Sequence, residues 1–167
     1  QMHATFSPDG KKVGFVMDNN MYYKDLASGK ITQVTTDGKW NHIINGSCDW
    51  VYEEEFSFTK AFAWSPDNRY IAYYRFDESA VKEFTMTNYT GELYPENVTF
   101  KYPKVGMENS KVSIHIFDTK TKKKVGMDKT HKKKKVKSIE GLSNEERSAL
   151  LDIINTKKRY GLVWEEK

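Results

Sequence analysis

Two twelve-residue stretches of this chain repeat one pattern at an offset of 58 positions. Ala4-Thr5-Phe6-Ser7-Pro8-Asp9-Gly10-Lys11-Lys12-Val13-Gly14-Phe15 aligns with Phe62-Ala63-Trp64-Ser65-Pro66-Asp67-Asn68-Arg69-Tyr70-Ile71-Ala72-Tyr73. Aromatic, Ser-Pro-Asp, a turn, a basic residue and an apolar-small-aromatic run recur in that order. Proline sets φ where the turn needs it, and Gly10 accepts a positive φ at little cost, so the pattern reads as strand, tight turn, strand. Such a unit recurring at a period near or above ~40 to 50 residues is the signature of propeller blades.

The flanking residues fill in the blades. Ala4–Phe6, Val13–Met17, Met21–Lys24 and Ile31–Thr35 are runs of Val, Ile, Tyr and Phe bounded by turn signals, and they predict a four-stranded meander. Asp18-Asn19-Asn20 tolerates the left-handed backbone of its second turn. A second meander starts at Phe62, with Lys111–Asp118 as an outer strand. Between its strands lies an excursion from about Phe76 to Ser110, too long for an ordinary loop. A closed ring needs at least ~4 blades, and this chain has roughly two. The expected fold is therefore mostly β: a partial β-propeller of about two four-stranded antiparallel blades, the second with a long arm insertion, followed by a short C-terminal α-helix. A small open meander closing on itself is the alternative, and it leaves the repeat without a role.

Charge divides the chain. Residues 1–118 hold 12 basic and 16 acidic side chains, a net of −4, with 21 of the 23 aromatics. Residues 119–167 hold 15 basic and 7 acidic, a net of +8, with only Tyr160 and Trp164 as aromatics. The first part can bury an aromatic core and the second cannot. The expected organisation is a propeller portion over 1–125, a lysine-rich linker over 126–142, and a short helix with an unrelated tail over 143–167. Ser143-Asn-Glu-Glu146 is a capping box ahead of Ala149, Leu150, Ile153 and Ile154, which predicts an amphipathic helix from about Asn144 to Asn155. Lys132–Lys135 reads as solvated linker, with phosphate contact as the sharper alternative. No run approaches the ~18 apolar residues of a membrane span, no signal segment opens the sequence, and the chain as written is expected to be soluble. Lone Cys48 excludes a cysteine-stapled scaffold. His3, His42, His115 and His131 have no ligand spacing, so neither a metal nor another cofactor is expected.

Asp49-Trp50-Val51-Tyr52-Glu53-Glu54-Glu55-Phe56 is the one local constellation with chemical content. Adjacent carboxylates repel, by about 4 kcal/mol for a pair ~4 Å apart at an effective dielectric of 20, and a bound cation would relieve that cost. On a helical turn successive side chains diverge by about 100°, so at most two can converge on one ligand. Trp50, Tyr52 and Phe56 could anchor the turn against sheet edges. Residues alone favour a solvated, acidic helix start.

With these residues in view, the sequence resembles the dipeptidyl peptidase IV branch of the prolyl oligopeptidase family. The run Asp49–Glu55 is similar to that family's substrate-recognition motif, and Trp64-Ser-Pro-Asp67, Tyr70-Ile-Ala-Tyr73, Arg75-Phe-Asp77 and Tyr102-Pro-Lys-Val-Gly106 follow in the family's order over roughly residues 1–125. The resemblance implies that Glu54 and Glu55 grip the α-ammonium of a peptide, with Glu53 turned away and Asp49, Trp50 and Tyr52 in support. It implies removal of N-terminal Xaa-Pro dipeptides by a serine peptidase whose triad sits on a separate α/β-hydrolase domain. It also implies a periplasmic, secreted or membrane-anchored setting, and a homodimer formed with the arm about Phe76–Ser110. No Gly-x-Ser-x-Gly elbow occurs in this sequence, and Ser47, between Gly46 and Cys48, lacks the second glycine. No catalytic residue is expected here, so this polypeptide alone should not hydrolyse peptides. The family's upstream amine- or carbonyl-binding arginine has no counterpart either, since Arg69 and Arg75 fit roles at sheet edges. The sequons at Asn45, Asn88 and Asn97 would matter only in a eukaryotic secretory pathway.

The segment Asn155–Lys167 is similar to a stretch near the amino end of bacterial adenine-specific DNA methyltransferases, and Met127 sits where a separate start could lie. A second reading follows: a nucleic-acid-associated or restriction-modification-related fusion whose basic tail carries the function.

Overall fold

The computed structural model describes residues 1–91, 93–127 and 144. Eleven strands and one short helix follow in order: β1 Met2–Phe6, β2 Lys12–Met17, β3 Asn20–Asp25, β4 Ile31–Gln33, β5 Ile43–Asn45, α1 Trp50–Glu54, β6 Phe62–Trp64, β7 Tyr70–Asp77, β8 Glu83–Asn88, β9 Glu96–Lys101, β10 Lys111–Asp118 and β11 Lys123–Met127. The lysine-rich linker, most of the helix expected from Asn144 and the methyltransferase-like tail lie outside the described residues.

The repeat folds as one structure twice. Lys12 and Tyr70 donate their amides to the hydroxyls of Ser7 and Ser65 at 2.9 and 2.8 Å. Each serine donates in turn to its own Asp, Asp9 at 2.7 Å and Asp67 at 2.5 Å. Gly10 and Asn68 take the left-handed turn position with φ of 69° and 64°. The two turns also touch, the Asp9 amide donating to Asn68 Oδ1 at 2.8 Å.

The first blade is the expected four-stranded antiparallel sheet in the order β1-β2-β3-β4. β4 ends at Gln33 rather than at Thr35 because the amides of Val34 and Thr35 turn to the Met21 carbonyl. The second blade runs β11-β10-β7, and the far edge of β7 is shared by β6 and β5. β7 is eight residues long and β6 only three, so β5 continues the row and pairs the rest of that edge. This three-residue strand was not expected.

Side chains of β7 alternate between two cores, as a strand covered on both faces must. Ile71 and Tyr73 pack with Val16, Met21, Phe62, Trp64 and Phe117 between the blades. Tyr70, Ala72, Tyr74 and Phe76 pack on the opposite face with Phe58 and Ile116. Arg75 reaches the connection between β4 and β5 and pairs with Asp37 at 2.7 Å, whereas Arg69 holds Asp118 at 2.8 Å. Both arginines thus serve the sheets. Asn45 is fully buried and donates to Asp37 at 3.0 Å, which removes its sequon from any surface.

The excursion is a two-stranded antiparallel ribbon, β8 on β9, with Phe84 against Phe100 and Thr85 bonded to Thr99. Its tip and outer face leave Met86, Tyr89, Leu93, Tyr94 and Val98 exposed. Gly91 lies in that tip with φ of 112°.

Candidate functional site

α1 is set on the second blade by the segment that joins it to β5. Gly46 has φ of 75°, and a Cβ there would meet Met21 Sδ at 2.7 Å, so the position needs both the conformation and the missing side chain. Its amide donates to the Tyr74 carbonyl at 3.0 Å, which ties the approach to α1 to β7.

Asp49 is the N-cap. Its Oδ1 accepts the Tyr52 amide at 3.0 Å, and its backbone is extended, as a capping residue requires. The Glu53 amide donates to the Asp49 carbonyl and the Glu55 amide to that of Val51, so one turn of helix forms and Glu55 closes it in the right-handed region. Tyr52 packs on Phe76 of β7 with ring centroids 5.0 Å apart, and on Phe56 and Phe58. Trp50 goes elsewhere: its ring meets Tyr102, at the root of the arm, edge-on at 4.4 Å. The aromatic anchors therefore grip a sheet face and the arm, and not sheet edges.

Asp49 is 5% exposed. Burial raises its carboxyl above the usual range, opposed by hydrogen bonds from the Ser110 hydroxyl and the Tyr52 amide. Ser110 Oγ donates to Asp49 Oδ2 at 2.5 Å across 61 positions of sequence. Glu78 is buried close by, and burial, then the charge of Asp49, pushes its carboxyl up to about 7 against the opposing pull of Lys101. Lys101 is itself buried and donates to the Val81 carbonyl at 2.9 Å. Sequence reading missed Ser110, Tyr102, Glu78 and Lys101 as neighbours of the acidic turn, because nothing local in the sequence places the arm root there.

The three glutamates themselves are all exposed. Among the described residues, none of Glu53, Glu54 and Glu55 is in an ion pair. Glu53 lies within electrostatic reach of His3, whose imidazole is lowered by burial and pulled back up by the Glu53 charge. One helical turn thus presents a row of solvent-facing carboxylates, with a buried aspartate as its cap and half-buried aromatic anchors. Carboxylates so exposed can accept hydrogen bonds from a cationic group.

A pair of propeller blades with such a turn defines an arc of a β-propeller that carries an acidic helical turn. Residues 1–148 match the family model described as the dipeptidyl peptidase IV (DPP IV) N-terminal region, and the chain belongs to that family. It is similar to bovine prolyl endopeptidase FAP, 38% identical over 125 residues covering 74% of this chain and 16% of that protein. Porcine dipeptidyl peptidase 4 is 40% identical over 120 residues, covering 70% of this chain and 16% of the relative. Among solved structures, Porphyromonas gingivalis dipeptidyl peptidase 4 superposes with a TM-score of 0.73 at 48% identity, covering 76% of this chain and 18% of that one. The chain therefore spans a small part of the length of the proteins it matches. Among the described residues no helix is long and apolar enough to cross a membrane.

Proposed function

We propose that this chain is the substrate-recognition portion of a serine-type dipeptidyl peptidase, binding the α-ammonium of a peptide through Glu54 and Glu55 and performing no bond cleavage by itself. The observation that carries this reading is the exposed carboxylate pair on a turn that Asp49 caps and that Trp50 and Tyr52 hold against Tyr102 and Phe76. An N-terminal amine with a pKa near ~7.7 to 8.0 is mostly cationic at neutral pH. Hydrogen bonds that it donates to two carboxylates contribute roughly 1.5 to 3 kcal/mol each. Two acceptors at a fixed distance from a nucleophile act as a ruler, so cleavage falls after the second residue, and Xaa-Pro dipeptides are the products. Glu53, whose charge acts on His3, is left out of the grip. The nucleophile, its triad and the remaining blades come from the rest of the enzyme, which acts in a periplasmic, secreted or membrane-anchored setting. The arm about Phe76–Ser110, with its exposed apolar tip, joins a second copy in a homodimer.

The test is the double replacement Glu54→Gln and Glu55→Gln in an enzyme completed with the remaining blades and a hydrolase domain. Loss of two charge-assisted contacts should lower kcat/KM for Xaa-Pro substrates by about 100-fold or more. Full activity in the double variant would remove the assignment.

A further inference from the structure

We propose that Ser110, at the root of the arm, is a positioning residue for the glutamate turn: its hydroxyl clamps the cap carboxylate of α1 and so fixes where Glu54 and Glu55 point. This inference rests on the ammonium-binding reading above. α1 is a single turn, too short to hold its own shape in water. Its order comes from the cap and from packing. Both oxygens of Asp49 are used, Oδ1 by the Tyr52 amide within the turn and Oδ2 by Ser110 from the arm root. The hydroxyl therefore decides the rotamer in which Oδ1 can cap. A second contact runs parallel to it, Trp50 against Tyr102 at 4.4 Å.

The arm root is itself braced. Tyr102 donates its amide to the Lys82 carbonyl at 3.0 Å, the Val81 amide donates to the Glu78 carbonyl at 2.9 Å, and Lys101 Nζ donates to the Val81 carbonyl. A braced root touching a one-turn helix at two points transmits its position to that helix. Displacement of the arm then moves the carboxylates, although the arm touches neither of them in the contacts described.

Amide hydrogen exchange on this chain, read at Tyr52, Glu53 and Glu55, reports the cap and the turn directly. Ser110→Ala should accelerate exchange at these three amides by about tenfold or more, the size of a lost hydrogen bond to a charged group. Ser110→Thr, which keeps the hydroxyl, should restore the wild-type pattern, and Tyr102→Leu should accelerate the same amides through the second contact. In parallel, the chain is titrated with alanyl-proline amide and with its N-acetylated form. Ser110→Ala should weaken binding of the free amine roughly tenfold, with Ser110→Thr restored. Unchanged exchange in Ser110→Ala, or equal acceleration in Ser110→Ala and Ser110→Thr, overturns the positioning role while leaving the ammonium reading intact. A wild-type chain that does not distinguish free from acetylated amine refutes the ammonium reading, and with it the purpose assigned to Ser110, even where the exchange pattern holds.

Discussion

Replacing Glu78 by Gln should remove a decline in stability that the wild-type protein suffers as pH rises through neutrality. Glu78 is 6% exposed and follows β7 directly, its amide donating to the His42 carbonyl at 2.8 Å. Burial, followed by the charge of Asp49, raises its carboxyl from an ordinary 4.5 to about 7, with Lys101 pulling the other way. The folded state therefore holds this proton over a range in which the unfolded chain has already lost it. Rising pH favours the unfolded state between those two values, and the loss is complete above the folded value. At about 1.36 kcal/mol per pH unit, the span from 4.5 to about 7 corresponds to about 3 kcal/mol. Glutamine keeps the volume and cannot ionise. Urea unfolding followed by tryptophan fluorescence, from about pH 5 to pH 8, measures both proteins. The stability of Glu78→Gln relative to wild type should climb across that range by up to about 3 kcal/mol and level off beyond it. A difference between the two that does not change with pH would show that Glu78 ionises in the folded state as it does in water, and the reasoning about its burial would be wrong.

Two other perturbations probe the sheets. Phe62→Ala empties the core between the blades, where the ring is 3% exposed, and should cost about 3 to 5 kcal/mol in urea unfolding; a cost near zero would mean the blades do not pack on each other. Asp118 is held down to about 2 by hydrogen bonds from Arg69 and from the amides of Thr121 and Lys120, which outweigh its desolvation. Its contribution is present above the ordinary carboxylate value and is lost as pH falls through the folded one, so Asp118→Asn should unfold less steeply than wild type from about pH 4 to pH 2. An identical acid profile in the two proteins would refute the pairing.

The turns are legible in the sequence because their chemistry is local. Ser-Pro-Asp followed by Gly10 or Asn68 writes its own hydrogen bonds within five residues, and both copies make them. The run Asp49–Glu55 stands out by its three adjacent carboxylates, whereas the cap that Asp49 makes to the Tyr52 amide is not read from it. The long apolar run of β7 marked a strand, although which of its faces met the first blade was not written in it. β5 escaped notice because three residues show no periodicity, and it exists to complete an edge that only β7 offers.

Longer-range contacts belong to the topology. Whether Ser110 meets Asp49, Tyr102 meets Trp50, or Glu78 sits in a dry place beside Lys101 depends on where the chain returns after a ribbon of more than thirty residues, from about Phe76 to Ser110. Read alone, Ser110 is a loop serine and Glu78 a surface acid. Turn formation is governed by neighbouring φ, ψ and side-chain acceptors, which adjacent residues specify. Burial and distant hydrogen bonds are governed by which strands pair, and strand pairing is settled only when the whole sheet assembles.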